Sequence, residues 1–347
     1  MPYGFTPRFA IKANPHPEII RIFSEAGMHF DASSDYEVYN LIEMGVEPTK
    51  ISLASQQPAR KYAELHKKGV KLVATSLRQL DMILAAGVKD ISVRINPDIG
   101  HGGTNRTTTG GINASFGIWH EYIPEILKKV SAAEAKVKRL HIHVGSGFDA
   151  SVWGGVMDTA LLIANILPDV VSLDIGGGYK VARVEEEHEA DLVSIAAIFS
   201  EKLNSYFETT GRQLHLEIEP GTWMVANAGY LVCEAIDIVD TGEAGHKFIK
   251  LNTGMNDILR PSMYGSQHPI YVVNDSKETA EYVVVGHNCE SGDILSPLPG
   301  DSEGILAREL PITNVGDKVV IGGAGAYCAS MRARGYNAFP DAVEALV

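Results

Sequence analysis

The chain has 347 residues, with 30 Lys and Arg against 43 Asp and Glu, a net charge of −13, and 45 % apolar residues. That length suits one large domain with a smaller companion, and the apolar share is enough for a substantial core. An acidic chain without a basic block excludes nucleic acid and anionic membrane surfaces as partners, and no run of about 18 apolar residues offers a membrane span.

The opening residues Met1-Pro2-Tyr3-Gly4-Phe5 lack the basic and apolar regions of a signal peptide. Three cysteines, Cys233, Cys289 and Cys328, form neither a disulfide framework nor a metal knuckle, so a cytoplasmic home is expected. A β-rich run at 8–12 leads into Lys12, and Asn14-Pro15 stops it, which places an amine at the carboxyl end of a strand. Taken alone, such a lysine reads as a surface residue. Similar runs recur at 28–33, 50–55, 71–76, 90–96, 139–144, 171–176 and 214–220. Between them lie helical patterns at 17–27, 35–45, 57–69, 76–87, 121–130, 152–167 and 191–211, several of them closed by glycine. Eight strands alternating with helices predict a (β/α)8 barrel of TIM type. One connection, 101–113, is rich in Gly, Thr and Asn and reads equally as a substrate-gating loop and as a plain loop. From Tyr230 onward short β-branched runs at 230–241, 248–252, 270–273, 282–285 and 318–321 predict a smaller all-β domain. The expected division is a barrel over 1–228 and a β domain over 229–347.

In a parallel barrel the carboxyl ends of the strands share one mouth. Lys12, Asp31, Arg94, His141 or His143, the Gly176-Gly177-Gly178 loop and Glu219 fall there. The three glycines allow backbone amides to approach a phosphate closely, or simply make a tight turn. Ser146 and Gly221-Thr222, at neighbouring strand ends, are further donors for such an anion. Glu217 and Glu219 share one face of the last barrel strand, and an inward carboxylate needs a cationic partner: a basic side chain, or a pyridinium nitrogen. His141-Ile142-His143 turns two imidazoles to one side and admits three roles: a metal pair, a ring stacked on a flat cofactor, or core packing. No matching histidine stands at another strand end, so no metal is expected. A lysine, a phosphate cradle, a carboxylate and a stacking imidazole together describe a pocket for pyridoxal 5'-phosphate.

These residues sit in motifs that resemble the fold-type III pyridoxal-phosphate decarboxylases, the ornithine, diaminopimelate and arginine decarboxylase group, most of all its diaminopimelate branch. The motifs are Ala10-Ile11-Lys12-Ala13-Asn14-Pro15, His143-Val144-Gly145-Ser146, Asp174-Ile175-Gly176-Gly177-Gly178-Tyr179, Glu219-Pro220-Gly221, Arg260-Pro261-Ser262-Met263-Tyr264-Gly265, Cys289-Glu290-Ser291-Gly292-Asp293 and Gly325-Ala326-Tyr327. The resemblance implies that Lys12 bonds the cofactor's aldehyde, His143 stacks on its ring and Glu219 pairs with its nitrogen. It implies phosphate contacts from Ser146, Gly176, Gly177, Gly178, Gly221, Thr222 and Tyr327, and substrate contacts from Arg260, Tyr264, Tyr327 and Glu290. It implies a homodimer in which Cys289 and Glu290 enter the partner's site, Cys289 as the acid that reprotonates the α-carbon. Glu290 with its Ser-Gly-Asp continuation implies decarboxylation of meso-2,6-diaminopimelate to L-lysine. Carboxynorspermidine, lysine or ornithine as substrate, or a cofactor-binding homologue without turnover, are the alternatives. Thr222 stands where the family has arginine; its hydroxyl can hydrogen-bond a phosphate but cannot grip a carboxylate as a guanidinium does.

Overall fold

The computed structural model describes residues 1–102 and 105–347. Gly103 and Thr104, inside the stretch that reads equally as a gating loop and as a plain loop, lie outside the described residues. The chain forms two compact units, one of Met1–Lys180 with Glu189–Met224, the other of Val181–His188 with Val225–Val347.

The first unit is a closed parallel barrel. Its strands are β1 (Phe5–Ala10), β2 (His29–Ala32), β3 (Ile51–Leu53), β4 (Lys71–Ala74), β5 (Asp90–Asn96), β7 (Lys136–His141), β8 (Ser172–Asp174) and β9 (His215–Ile218). They pair in that order, with β9 returning to β1; a two-residue strand, β6 (Ile118–Trp119), adds to the end of β5. Helices α1 (Pro17–Glu25), α2 (Asp35–Glu43), α3 (Tyr62–Lys68), α4 (Leu77–Ala85), α5 (Ile123–Ala132), α6 (Ala150–Ile166) and α7 (Leu192–Thr210) fill the connections. Their caps are written in the sequence. Ser34, Ser76 and Asp191 accept the free N–H groups at the starts of α2, α4 and α7, and left-handed Gly69 and Gly211 end α3 and α7.

Alternation sorts each strand into an outer and an inner row. The outer row is aliphatic or aromatic: Phe9, Phe30, Ile51, Leu72, Val93, Leu140, Leu173 and Leu216 are all buried. The inner row is polar: Arg8, Asp31, Ser52, Ser92, Arg94, Arg139, His141, Asp174 and Glu217, buried as well. The barrel therefore holds its charge inside and its grease under the helices.

Three details differ from the sequence expectation. Strand β1 stops at Ala10, its last registered pair being Ala10 with Asp31, so Lys12 lies in a 3-10 turn (Ile11–Ala13) beyond the strand. Strand β7 likewise ends at His141, and alternation does not reach His143. Helix α3 begins at Tyr62 rather than near 57, its cap Lys61 standing outside the helical region at φ −140°, ψ 59°.

The second unit is built on a six-stranded sheet. Its strands are β10 (Leu231–Asp240), β11 (Lys247–Leu251), β12 (Ile270–Val273), β13 (Thr279–Val285), β16 (Arg308–Pro311) and β17 (Lys318–Ile321), in spatial order β12-β17-β10-β11-β13-β16. Strands β14 (Pro297–Leu298) and β15 (Asp301–Ile305) form a separate hairpin, and Arg260–Tyr264 makes one helical turn. Ala235, Ile249, Leu251, Tyr282, Val284, Val319 and Ile321 form its core. Among the described residues no helix is long and apolar enough to cross a membrane.

Candidate active site

The floor of the barrel is an ionic layer centred on Glu217. Its Oε2 accepts from Arg8 Nε at 2.5 Å and from Arg139 Nε at 3.0 Å, and its Oε1 from Lys71 Nζ at 2.9 Å and Ser172 Oγ at 2.7 Å. Burial works against the Glu217 charge, but Arg139, Arg8 and Lys71 outweigh it and hold the carboxyl well below the usual range. Arg139 also donates to Asp174, and these anions outweigh its own burial and raise its pKa.

One strand pleat higher, at the mouth, stand Asp31, Arg94, His141, Asp174 and Glu219. The registers of β5 with β7 and β7 with β8 set Arg94 beside His141 and His141 beside Asp174. Glu219 follows the end of β9 directly, its backbone N–H donating to Gly176 O at 2.8 Å. Its Oε2 lies 3.4 Å from His141 Nε2, close but short of a formed hydrogen bond, and its Oε1 lies 3.9 Å from Arg139. His141 and Arg139 overcome burial and keep Glu219 ionised. Asp31 goes the other way: burial first, and the Glu219 charge second, push it well above the carboxylate range, while Lys12 opposes them. The two neighbouring carboxyls are thus pushed apart, Glu219 toward the charged form and Asp31 toward the protonated one.

Lys12 lines a cavity of about 280 Å³ in this mouth, with Ser55, Thr75, Arg94 and Phe116 among its walls. His143 lies beside Gly176, where a Cβ would meet its Nδ1 at 2.4 Å, and the Gly177 N–H donates to the same nitrogen at 3.3 Å. Burial, Arg94 and Lys12 push His143 far down, so the ring is neutral, with Nδ1 the acceptor. Gly176 and Gly178 are left-handed (φ +72° and +99°), and a Cβ on Gly177 would lie 1.9 Å from Glu219 O, so the loop tolerates only glycine. Ser146 reaches the same corner through its neighbour, Gly147 N–H donating to Gly178 O at 3.0 Å. Thr222 opens a short helical turn, and Gly221 O accepts from Met224 N–H at 3.1 Å. The 101–113 stretch is docked at both ends: His101 N–H and Thr109 N–H donate to Val144 O, and Ser146 N–H to His101 O.

In the second unit, Arg260 and Tyr264 share one helical turn, the guanidinium 5.8 Å from the ring centre. Cys289 and Glu290 are exposed on the loop after β13. Buried Asp293 builds that loop, Oδ1 accepting from Met255 N–H at 2.7 Å and Oδ2 from Asn288 N–H at 3.0 Å. Cys289 N–H donates to Asn337 Oδ1 at 2.8 Å, and Tyr336 hydroxyl to Glu290 at 3.3 Å. Tyr327 stands at φ +57°, a strained position for a side chain of its size.

Lys12, Asp31, Arg94, His141 and Glu219 were legible as mouth residues from their places at strand ends; Asp174 and the ionic layer beneath were not. The layer's only signal was charge recurring at inward positions, as in Arg139-Leu140-His141 and Glu217-Ile218-Glu219. His141, Asp174 and Glu219 bring ligand-type atoms within 4.8 Å of one another, but the Arg139 guanidinium already supplies positive charge there. The residues do fit pyridoxal phosphate. Glu219 Oε1 is buried without a hydrogen-bond partner, as an acceptor awaiting a ring N–H would be, and the glycine loop would be filled by any Cβ.

A parallel eight-stranded barrel with an amine, a neutral imidazole and a buried anion at its mouth, followed by a β-sheet unit, defines the barrel class of pyridoxal-phosphate enzymes. Residues 1–226 match the family described as pyridoxal-dependent decarboxylase, pyridoxal binding domain, and the chain belongs to that family. It is 33 % identical to the diaminopimelate decarboxylase of Streptomyces coelicolor over 98 % of this chain and 79 % of that protein. To that of Escherichia coli K12 it is 29 % identical, covering 98 % and 83 %. A diaminopimelate decarboxylase crystal structure superposes with a TM-score of 0.88 at 29 % identity, over 96 % of this chain and 82 % of that one. The Helicobacter pylori diaminopimelate decarboxylase complexed with L-lysine gives 0.85 at 27 %, over 97 % and 83 %.

Proposed function

We propose that the chain decarboxylates meso-2,6-diaminopimelate to L-lysine with pyridoxal 5'-phosphate, as a homodimer. The observation that carries the reading is Glu219, a buried carboxylate kept ionised with one oxygen that accepts no hydrogen bond. Such an anion favours a protonated ring nitrogen, and when bound the cofactor supplies an electron sink for the pair left at the α-carbon as carbon dioxide departs. Lys12 would hold the cofactor through its amine. His143, uncharged, would pack against the bound cofactor without competing with Glu219 for a proton. Ser146, Gly176, Gly177, Gly178, Gly221, Thr222 and Tyr327 bind its phosphate. Arg260, Tyr264 and Tyr327 hold the substrate's second carboxylate, and Glu290 its second amine.

Cys289 delivers the proton to the α-carbon from the partner subunit; its exposure with Glu290 on an anchored loop supports that role. The test is carbon dioxide release with product analysis, offering meso-diaminopimelate, L-lysine, L-ornithine and carboxynorspermidine in turn. L-Lysine formed from diaminopimelate is the expected result. Turnover of another of the four, with none of diaminopimelate, overturns the substrate assignment.

A further inference from the structure

A second concentration of charge, away from the barrel residues described above, lies wholly within the second unit. Arg183, on the Val181–His188 segment, donates from Nε to Gly323 O at 3.0 Å. A Cβ on Gly323 would lie 2.8 Å from Arg183 Cδ, so the stem of Arg183 is packed on that glycine. One residue earlier, Gly322 O accepts from His268 Nδ1 at 2.9 Å, and His268 is 1 % exposed. Arg260 donates to Ser266 Oγ at 3.2 Å. After these bonds, two guanidinium donors, Arg183 Nη2 and Arg260 Nε, are buried without a hydrogen-bond partner; His268 Nε2, an acceptor once Nδ1 donates, is unpaired beside them.

The charges define what is missing. Burial, then Arg183 and Arg260, bring His268 down to about 3, so it is neutral and adds no positive charge. Burial, then Arg260, brings Arg183 down to about 10, which leaves it cationic at neutral pH. Cys328, pushed up to about 11 by burial, remains a thiol and offers no anion. Glu187, the acid on the same segment, accepts from the Arg183 backbone N–H at 2.9 Å. Among the described residues neither guanidinium forms an ion pair. The two half-buried guanidiniums repel each other, with Glu187 the smallest of the influences on Arg183, and a planar anion with two oxygens matches their unpaired N–H donors.

We infer that Arg183 and Arg260 together form a carboxylate-binding site, and that Arg183 sets the preference for a substrate that keeps a second carboxylate. The identity of the ligand rests on the functional reading above; the site itself rests on the orphaned donors. Arg183 acts on binding, not on the reacting bond.

The experiment uses holoprotein, wild type, R183Q and R183K, with calorimetric binding of L-lysine (one carboxylate), cadaverine (none) and inorganic phosphate. R183Q should weaken L-lysine binding roughly tenfold to a hundredfold, the contribution of one charge-assisted hydrogen bond, while cadaverine is unaffected. R183K should recover part of the loss, because it keeps the charge without the fork. In the absence of ligand R183Q loses the bond to Gly323 O together with a half-buried cation that forms no ion pair, so its melting temperature should stay within a few degrees of wild type; a purely structural arginine would lower it well below that. Unchanged L-lysine binding in R183Q, equal weakening of cadaverine, or no L-lysine binding to wild type each overturns the inference. Phosphate binding that depends on Arg183 while L-lysine binding does not would mark a free-anion site and overturn the substrate assignment. Turnover of diaminopimelate by wild type is read separately: its failure sinks the functional reading, while the binding arms still decide Arg183. If R183Q does not fold, R183K must still weaken L-lysine and spare cadaverine.

Discussion

Glu217→Gln is the most informative perturbation of the barrel, because it removes one charge from a layer that holds three cations. Glu217, Arg8 and Arg139 are each 2 % exposed. The amide keeps the shape but places neutral atoms, one of them an N–H₂ donor, against Arg8, Arg139 and Lys71. Breaking a buried ion pair from one side costs about 3–5 kcal/mol, because the remaining charge is stranded. The Lys71 arm contributes least, since its side chain is 34 % exposed and screened. Arg139 retains Asp174, so Arg8 bears most of the loss. For a unit of this size the cost corresponds to a fall in melting temperature of about 10 °C. Calorimetry of the holoprotein at neutral pH reads it. The pH dependence adds a second check. The folded pKa of Glu217 is depressed, so its stabilisation is complete above the unfolded value of about 4.3 and is lost as pH falls toward the folded one. The gap between wild type and variant should therefore narrow in acid. A variant melting within about 2 °C of wild type at pH 7, or a gap that widens below pH 4, refutes the ionic layer as a stabilising element.

Three further outcomes are expected. Gly176→Ala forces a Cβ into a left-handed position (φ +72°) and onto the His143 ring at 2.4 Å, so affinity for pyridoxal phosphate, followed by fluorescence titration, should fall at least about tenfold. Asp293→Ala strands the Met255 and Asn288 backbone donors; the 286–293 loop should become protease-sensitive and the melting temperature should fall by about 2–4 °C per kcal/mol lost. Mixing inactive K12A with inactive C289A should restore about a quarter of wild-type activity if the site is shared between subunits, half the dimers being mixed and one site in two intact. No recovery would place Cys289 outside the partner's site.

The barrel was legible in the sequence because its signals are local. Apolar runs end at polar residues, Ser34, Ser76 and Asp191 announce helix starts, and glycines close several helices. The exact reach of each strand was not, since a strand ends where its neighbour stops offering a register: Lys12 and His143 each lie two residues past the last strand residue. Strands β6 and β14 have two residues each, too few for any periodicity to show. Strand β16, Arg-Glu-Leu-Pro, is half charged, and only Leu310 is buried, so it shows no apolar run. The mouth residues Lys12, Glu219 and the glycine loop could be named because each falls at a strand end. Arg183 could not. It stands in Arg183-Val184-Glu185-Glu186-Glu187-His188, a charged run that reads as a solvated turn, and only its burial against Gly323 distinguishes it.

The claim on which the account turns is that Lys12 carries the cofactor, and borohydride reduction of the holoprotein followed by peptide mapping tests it most directly. The account predicts one modified lysine, in the peptide Arg8-Phe9-Ala10-Ile11-Lys12-Ala13-Asn14, with the visible cofactor absorbance lost on reduction. A label on any other lysine, or none on a protein that still releases carbon dioxide from diaminopimelate, would contradict it.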